Sequence, residues 1–211
     1  MKITIIYDNE AWEEGLEADW GFACLVEAHG RRLLFDTGAS GSILLKNMRT
    51  LGITPASIDE VFISHAHRDH TGGLSDFLEL QPVRTYVPPS FKERIAGAEF
   101  IELNKASDLH EGIFSTGELE STEQSLAVKT EKGLAVIVGC SHPGVGSILR
   151  AASQFGKPHA LIGGLHGFED FPLIEDLELV CPTHCTQFRS EIESLYPAKC
   201  IIGGAGRVIE I

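Results

Sequence analysis

The segment Ile63-Ser64-His65-Ala66-His67-Arg68-Asp69-His70-Thr71-Gly72-Gly73 follows a short apolar run and places four potential metal ligands within six positions. Alternate side chains of an extended segment share a face, so His65 and His67 can point at one metal ion. A turn would direct Asp69 and His70 toward a neighbouring ion, and the two closing glycines permit a tight entry into a helix. The segment predicts a metal site at the end of a strand.

The clustering of these histidines argues against a chance arrangement. The chain has nine histidines in 211 residues, and a lone histidine is usually a surface or hydrogen-bonded side chain. Three of the nine fall between His65 and His70, together with an aspartate. We therefore interpret the segment as a metal-binding motif.

The size and charge of the chain restrict its function. With 211 residues and 43% hydrophobic content, it can bury one sizeable core, so we predict a single domain over residues 1–211. A formal net charge of −13 leaves no basic surface for a phosphate backbone or an anionic membrane. We therefore expect a small-molecule substrate, no nucleic-acid partner and no membrane partner. The sequence leaves the oligomeric state open.

The first residues and the cysteines indicate the compartment. The stretch Met1 to Asp8 is apolar for only a few residues, so it predicts neither a signal peptide nor a spanning helix, and we expect a cytoplasmic protein. Five cysteines without framework spacing fit reduced thiols. Cys181 and Cys185 flank His184 and allow two interpretations, a thiolate metal site or buried cysteines packed around the imidazole.

Predicted strands and helices alternate along the chain. Short apolar runs predict strands at Ile3 to Tyr7, Phe22 to Glu27, Arg32 to Phe35, Val61 to Ile63, Arg84 to Val87, Leu126 to Lys129, Leu134 to Val138, Ala160 to Ile162 and Cys200 to Ile202. Patterns that stop at glycine or proline predict helices at Gly41 to Leu51, Gly73 to Leu80, Gly144 to Phe155 and Thr186 to Leu195. Because Ser125 to Gly139 predicts a hairpin, antiparallel pairing accompanies the alternation. Two packed sheets with helices outside accommodate both features.

The stretch His65-Ala66-His67-Arg68-Asp69-His70 resembles the HxHxDH signature of the metallo-β-lactamase superfamily. Further motifs follow in the family order: Phe35-Asp36-Thr37-Gly38, Gly139-Cys140-Ser141-His142-Pro143-Gly144 and Pro182-Thr183-His184-Cys185. The resemblance covers nearly the whole chain. It implies an α/β fold with mixed sheets, the four-layer αβ/βα sandwich of the metallo-β-lactamase fold, with ligands on loops at one edge.

The resemblance also implies two sets of metal ligands. The first metal would be held by His65, His67 and His142, and the second by Asp69, His70 and His184. Each of His142 and His184 follows an apolar run, although a hydrogen-bonded polar residue at a strand end is the alternative interpretation. Asp36 would accept the second N–H of a ligand imidazole, with a turn-capping aspartate as its alternative. We expect Asp36, Asp69 and His166 to serve catalysis.

One feature of the superfamily is missing. An aspartate usually bridges the two metals on a strand between the third and last histidines, but the stretch from His159 to Gly167 contains no acid and offers only His166 near its end. The second metal is then weakly held, absent or ligated differently. His166 has three possible roles, as a ligand, a general acid or a substrate contact.

Several motifs resemble one branch of the superfamily, typified by 7,8-dihydropterin-6-methyl-4-(β-D-ribofuranosyl)aminobenzene-5′-phosphate synthase. They are Asp8-Asn9, Trp20-Gly21-Phe22, Gly139 to Gly144, Gly163-Gly164-Leu165-His166 and Thr183-His184-Cys185-Thr186. The Gly-Gly-x-His motif of that branch would account for the missing acid. We expect Asn9, Arg68 and Ser141 to contact substrate, with Arg68 supplying charge to a phosphate or lying solvated at the surface.

The ligand types predict one or two divalent metal ions. Imidazole and carboxylate ligands suit zinc, manganese and iron, and we expect zinc because it is common. Two cations can polarise a phosphoryl or carbonyl oxygen and activate water, so hydrolysis is the default reaction. The resemblance to the synthase branch implies instead that a diphosphate leaves the methylene carbon of a dihydropterin while an aromatic carbon of a second substrate attacks that carbon. The alternatives are a thioester or lactone hydrolase and a non-catalytic metal-binding module.

Overall fold

The computed structural model describes residues 1–211, which form thirteen strands and five α-helices. The strands are β1 (Lys2–Tyr7), β2 (Ala23–Ala28), β3 (Arg31–Phe35), β4 (Glu60–Phe62), β5 (Arg84–Val87), β6 (Phe100–Glu102), β7 (Ser107–His110), β8 (Ile113–Ser115), β9 (Leu126–Lys129), β10 (Leu134–Val138), β11 (Pro158–Gly164), β12 (Leu179–Thr183) and β13 (Val208–Glu210). The helices are α1 (Gly41–Thr50), α2 (Arg68–Thr71), α3 (Leu74–Leu80), α4 (Val145–Ala152) and α5 (Arg189–Leu195).

The strands form two mixed sheets. The first has seven strands in the order β13-β1-β2-β3-β4-β5-β6, and the second has six in the order β12-β11-β10-β9-β8-β7. In the first sheet β3, β4, β5 and β6 are parallel neighbours, whereas β13, β1, β2 and β3 pair antiparallel. The second sheet likewise joins a parallel part, β10 to β12, to antiparallel β7 to β10. The predicted hairpin is the antiparallel pair β9 and β10.

Three apolar clusters explain the layering. The largest contains 20 buried residues from the facing sides of both sheets, including Phe35 and Ile162. In the second cluster, Leu44 of α1 and Phe77 of α3 pack on the outer face of the first sheet. In the third, Ile148 of α4 packs on the second sheet. Because each sheet is apolar on both faces, the chain forms the predicted four-layer αβ/βα sandwich. No helix is long and apolar enough to cross a membrane.

The predicted strand from Cys200 to Ile202 is wrong. Cys200 makes only an isolated parallel bridge with Val180, and residues 201–204 after it belong to no helix or strand. Gly204, at a φ of 128°, then turns the backbone so that Ala205 hydrogen-bonds with the loop after β1. A segment that leaves the sheet after one bridge cannot extend the ladder. The sequence patterns also did not predict five further strands, β6, β7, β8, β12 and β13.

The sheet topology places the candidate ligands at one edge. Asp36 follows β3, His65 follows β4, His142 follows β10 and His184 follows β12. Parallel neighbours within each sheet end at the same edge, and the two sheets face each other. Residues far apart in the sequence therefore meet at one end of the sandwich.

Candidate metal centre

Two groups of metal-binding side chains meet at this edge. The donor atoms of Asp69, His70, Cys140 and His184 all lie within 4.8 Å of one another, and so do those of His65, Cys140 and His142. His67 adjoins the second group, because its Nδ1 lies 3.1 Å from His65 Nε2 and its ring centroid 4.9 Å from that of His142. The six ligands predicted from the sequence are brought together. Cys140, for which no role was predicted, belongs to both groups.

Asp36 and Ser64 orient the imidazoles of His70 and His65 through contacts with their Nδ1 atoms. Asp36 is fully buried, and its carboxylate lies 2.7 Å from His70 Nδ1 and accepts hydrogen bonds from the Ser64 N–H and hydroxyl. Burial raises the pKa of Asp36, and the two Ser64 donors oppose that shift. The Ser64 hydroxyl donates to Asp36 Oδ2 at 2.7 Å, so its oxygen can accept from His65 Nδ1 at 2.9 Å. With these partners at Nδ1, both imidazoles direct Nε2 toward the cluster, His65 at His67 and His70 at Cys140.

Asn9 orients His184 in the same way. Its amide nitrogen donates to the His184 carbonyl and its amide oxygen accepts from His184 Nδ1, both at 2.9 Å. Buried Asp8 accepts the His184 backbone N–H at 3.0 Å. His184 itself has a φ of 48°, a left-handed conformation that these contacts hold in place. With Nδ1 held by Asn9, His184 directs its Nε2 at the Asp69 carboxylate, 3.2 Å away.

This arrangement fits a cation better than a hydrogen-bonded network. His142 Nε2 is buried without any hydrogen-bond partner. Burial, followed by the neighbouring imidazoles, lowers the pKa values of His65, His70 and His142. Neutral imidazoles are the form that binds metals, so the donor set suits one or two divalent ions.

Glu123 holds the loop that carries His142. It is fully buried, and its Oε1 accepts the backbone N–H groups of Gly139, Cys140 and Ser141 at 2.9 to 3.1 Å. Its Oε2 accepts the N–H of His142 at 3.0 Å. Sequence reasoning missed Glu123, because a single acid in the polar stretch before β9 carries no signal of burial. Glu123 positions the loop that carries His142, but it belongs to neither donor group.

The remaining predicted residues occupy different positions. His166 is exposed at a φ of 47°, with its ring centroid 5.1 Å from that of His142, and it belongs to neither donor group. Arg68 is exposed and forms no side-chain hydrogen bond or ion pair. Ser141 is buried, and its hydroxyl donates to the Gly164 carbonyl at 2.8 Å, which ties the His142 loop to β11. Substrate contact by these residues stays a prediction.

Trp20 forms one wall of the open side of the centre. Its side chain is 58% exposed, its indole N–H donates to Asp69 Oδ2 at 3.1 Å, and its ring centroid lies 5.0 Å from that of His184. A cleft of about 380 Å³, lined by His65, His67 and His142 and by hydroxyl side chains, opens on the other side. A flat aromatic surface and a polar cleft therefore flank the donor cluster.

We expect Asn9→Ala to weaken metal binding at the group that contains His184. Partners that orient a ligand imidazole typically contribute about 10- to 100-fold in metal affinity, and competition with a chromophoric chelator would measure that loss. Exposed Asn104→Ala is the matched control. A raised KM with unchanged metal affinity would instead identify Asn9 as a substrate contact.

Known proteins are similar to this chain in sequence and in fold. A 7,8-dihydropterin-6-methyl-4-(β-D-ribofuranosyl)-aminobenzene-5′-phosphate synthase from Methanocaldococcus jannaschii is 29% identical over 88% of this chain and 85% of its own length. The structure of Tm1679, described as a metal-dependent hydrolase of the β-lactamase superfamily, superposes with a TM-score of 0.83 at 28% identity, covering 100% of this chain and 99% of Tm1679. The family model of the metallo-β-lactamase superfamily matches residues 21–152. This chain therefore belongs to the metallo-β-lactamase superfamily.

Proposed function

We propose that the protein is a metal-dependent enzyme, a hydrolase or transferase, acting on a small phosphorylated or diphosphate-bearing substrate. The observation that carries this proposal is the pair of donor groups at the open edge of the sandwich, each within 4.8 Å. In this proposal His65, His67 and His142 hold one divalent ion, and Asp69, His70 and His184 hold the second. Bound ions would supply the positive charge that polarises a phosphoryl oxygen and activates water.

The negative charge of the protein restricts the binding of an anionic substrate to this centre. The chain carries a formal net charge of −13, so the surface repels phosphates, and the cations would provide the local attraction. Exposed Arg68 lies beside the donor groups and can reach a phosphate that extends outward. We retain zinc as the expected metal, because a cluster of imidazoles suits it. The five unpaired cysteines support the expected cytoplasmic location.

We further propose that the substrate has a planar ring, with a dihydropterin as the specific candidate. Trp20 supports this, because an exposed indole beside the donor groups can stack on such a ring. The likeness to a synthase named for a dihydropterin supports the same class. His166 lies beside His142 but outside the donor groups, which suits a proton donor or a substrate contact.

A substrate panel tests the proposed function. Purified protein loaded with zinc would be assayed with a dihydropterin that carries a diphosphate on its methyl carbon, both alone and with a ribofuranosylaminobenzene phosphate as acceptor, with phosphodiesters, and with acyl thioesters and lactones. We expect turnover of the phosphorylated compounds that a chelator abolishes and zinc restores. Turnover of the acyl substrates alone would establish the alternative hydrolase. Bound metal without any turnover would indicate a non-catalytic metal-binding module.

We expect His166→Ala to keep the metal content of the parent protein and to lose turnover by roughly 10²- to 10⁴-fold, because a positioned acid or base contributes that much. Metal content and single-turnover rate would be measured on the same preparation. Exposed Glu169→Ala, in the same loop, is the control. Reduced metal content, with activity partly restored by excess metal, would identify His166 as a ligand. Full activity with full metal would exclude both roles.

A further inference from the structure

We propose that the thiolate of Cys140 is a ligand shared by both metal ions and takes the place of the acid that bridges them elsewhere in the superfamily. The inference rests on the proposed metal centre. It explains how two ions can be held when the stretch from His159 to Gly167 contains no acid and Asp69 is the single carboxylate of the two donor groups. It also gives the chain a sulfur ligand among imidazoles and a single carboxylate.

The position of the sulfur carries the proposal. Cys140 Sγ is the one donor atom common to both groups, within 4.8 Å of the donors of Asp69, His70 and His184 and of those of His65 and His142. The residue is 3% exposed, and its Sγ lies 3.2 Å from Nε2 of His70, the ring whose Nδ1 faces Asp36. The sulfur therefore lies between the two groups.

The loop holds this side chain rigidly. The Cys140 backbone N–H donates to buried Glu123 at 3.1 Å, and Glu123 also binds the residues on either side. The thiol is thus positioned by the contacts that position His142. A ligand held in this way needs little ordering when a metal arrives.

The glycine pair at the end of β11 explains why no carboxylate can fill the same position from that strand. A Cβ on Gly163 would lie 2.0 Å from the Val138 carbonyl oxygen, and one on Gly164 would lie 2.5 Å from the Gly139 carbonyl oxygen. The backbone of β11 therefore presses against the loop that carries Cys140. This close packing excludes an acidic side chain at Gly163 and Gly164. It also holds the Cys140 loop next to the two donor groups.

Metal binding would convert the Cys140 thiol to a thiolate. Metal binding breaks the S–H bond of Cys140, forms metal–sulfur bonds and releases one proton to solvent, as thiol ligands do. A thiolate is a soft ligand and favours zinc or cobalt over manganese or magnesium. The shared sulfur would therefore contribute to metal selectivity as well as to affinity.

Cys185 is the thiol that must be distinguished from Cys140. It is buried next to His184, and its Sγ lies 3.9 Å from the Cys140 carbonyl oxygen. It belongs to neither donor group. Cys185→Ser is therefore the matched control for Cys140→Ser.

Cobalt spectroscopy and X-ray absorption test the proposal without an activity assay. Protein reconstituted with Co²⁺ should show thiolate-to-cobalt charge-transfer absorption in the near ultraviolet. Cys140→Ser should lose that absorption, whereas Cys185→Ser should keep it. Zinc X-ray absorption of the unmodified protein should show a sulfur scatterer at about 2.3 Å, which needs no variant to fold.

The outcomes separate this proposal from the proposed function. Metal bound through nitrogen and oxygen alone overturns the Cys140 proposal and leaves the enzyme proposal standing. Absorption that persists in Cys140→Ser, or disappears only in Cys185→Ser, assigns the sulfur to another residue and overturns it as well. A parent protein that binds no cobalt or zinc overturns both.

Discussion

The double substitution of His65→Ala with His67→Ala is expected to remove most of the bound metal and to reduce turnover to the background rate. Two of the three imidazoles around one proposed ion are lost, which leaves His142 as its single imidazole, too few ligands to hold the ion tightly. His65 also lies next to His70, with ring centroids 4.2 Å apart, so the neighbouring group loses part of its packing. Elemental analysis of parent and variant proteins measures the effect, and we expect about one to two metal equivalents in the parent.

The control for this experiment is a histidine outside the centre. His29 is exposed, and its ring bonds the Lys129 carbonyl far from the donor groups. His29→Ala should therefore retain the metal content of the parent. Equal metal in the double variant and the parent would refute the assignment of the centre.

Glu123→Ala is expected to be the most destabilising single substitution around the centre. It leaves four backbone N–H groups without their acceptor, those of Gly139, Cys140, Ser141 and His142. Because each unsatisfied buried donor costs about 1–3 kcal/mol, we expect the free energy of unfolding to fall by at least about 4 kcal/mol. Denaturant unfolding followed by fluorescence measures this change. Metal affinity should fall as well, since the loop carries His142.

Two variants calibrate that result. Glu123→Gln keeps one acceptor oxygen and should lose less stability than Glu123→Ala. Exposed Glu131→Ala removes a carboxylate that accepts no hydrogen bond and should change stability by no more than about 0.5 kcal/mol. If Glu123→Ala and Glu131→Ala unfold at the same denaturant concentration, water replaces the carboxylate and the loop does not depend on Glu123.

The predicted elements were accurate where local pattern and tertiary structure agree. The apolar, β-branched composition of Leu134 to Val138 predicts a strand, and this run matches β10. All five of its residues are buried. The missed strands β6, β8 and β13 have three residues each. So short a segment shows no period, and its pairing depends on the neighbour that the fold supplies.

The sequence by itself determined the ligand motif, because His65 to His70 are close in the chain, and the order of motifs that resembles the superfamily and implies its fold; the longer strands and helices also show their own local period. Only the tertiary structure decided which donors meet. Asp69 and His184 are 115 positions apart, and their 3.2 Å contact arises because strand ends from two sheets share one edge. The same packing turned Cys140 inward, buried Glu123 beneath the loop and used Asn9 to orient His184. These contacts depend on the register and packing of distant strands, which no local pattern of residues encodes.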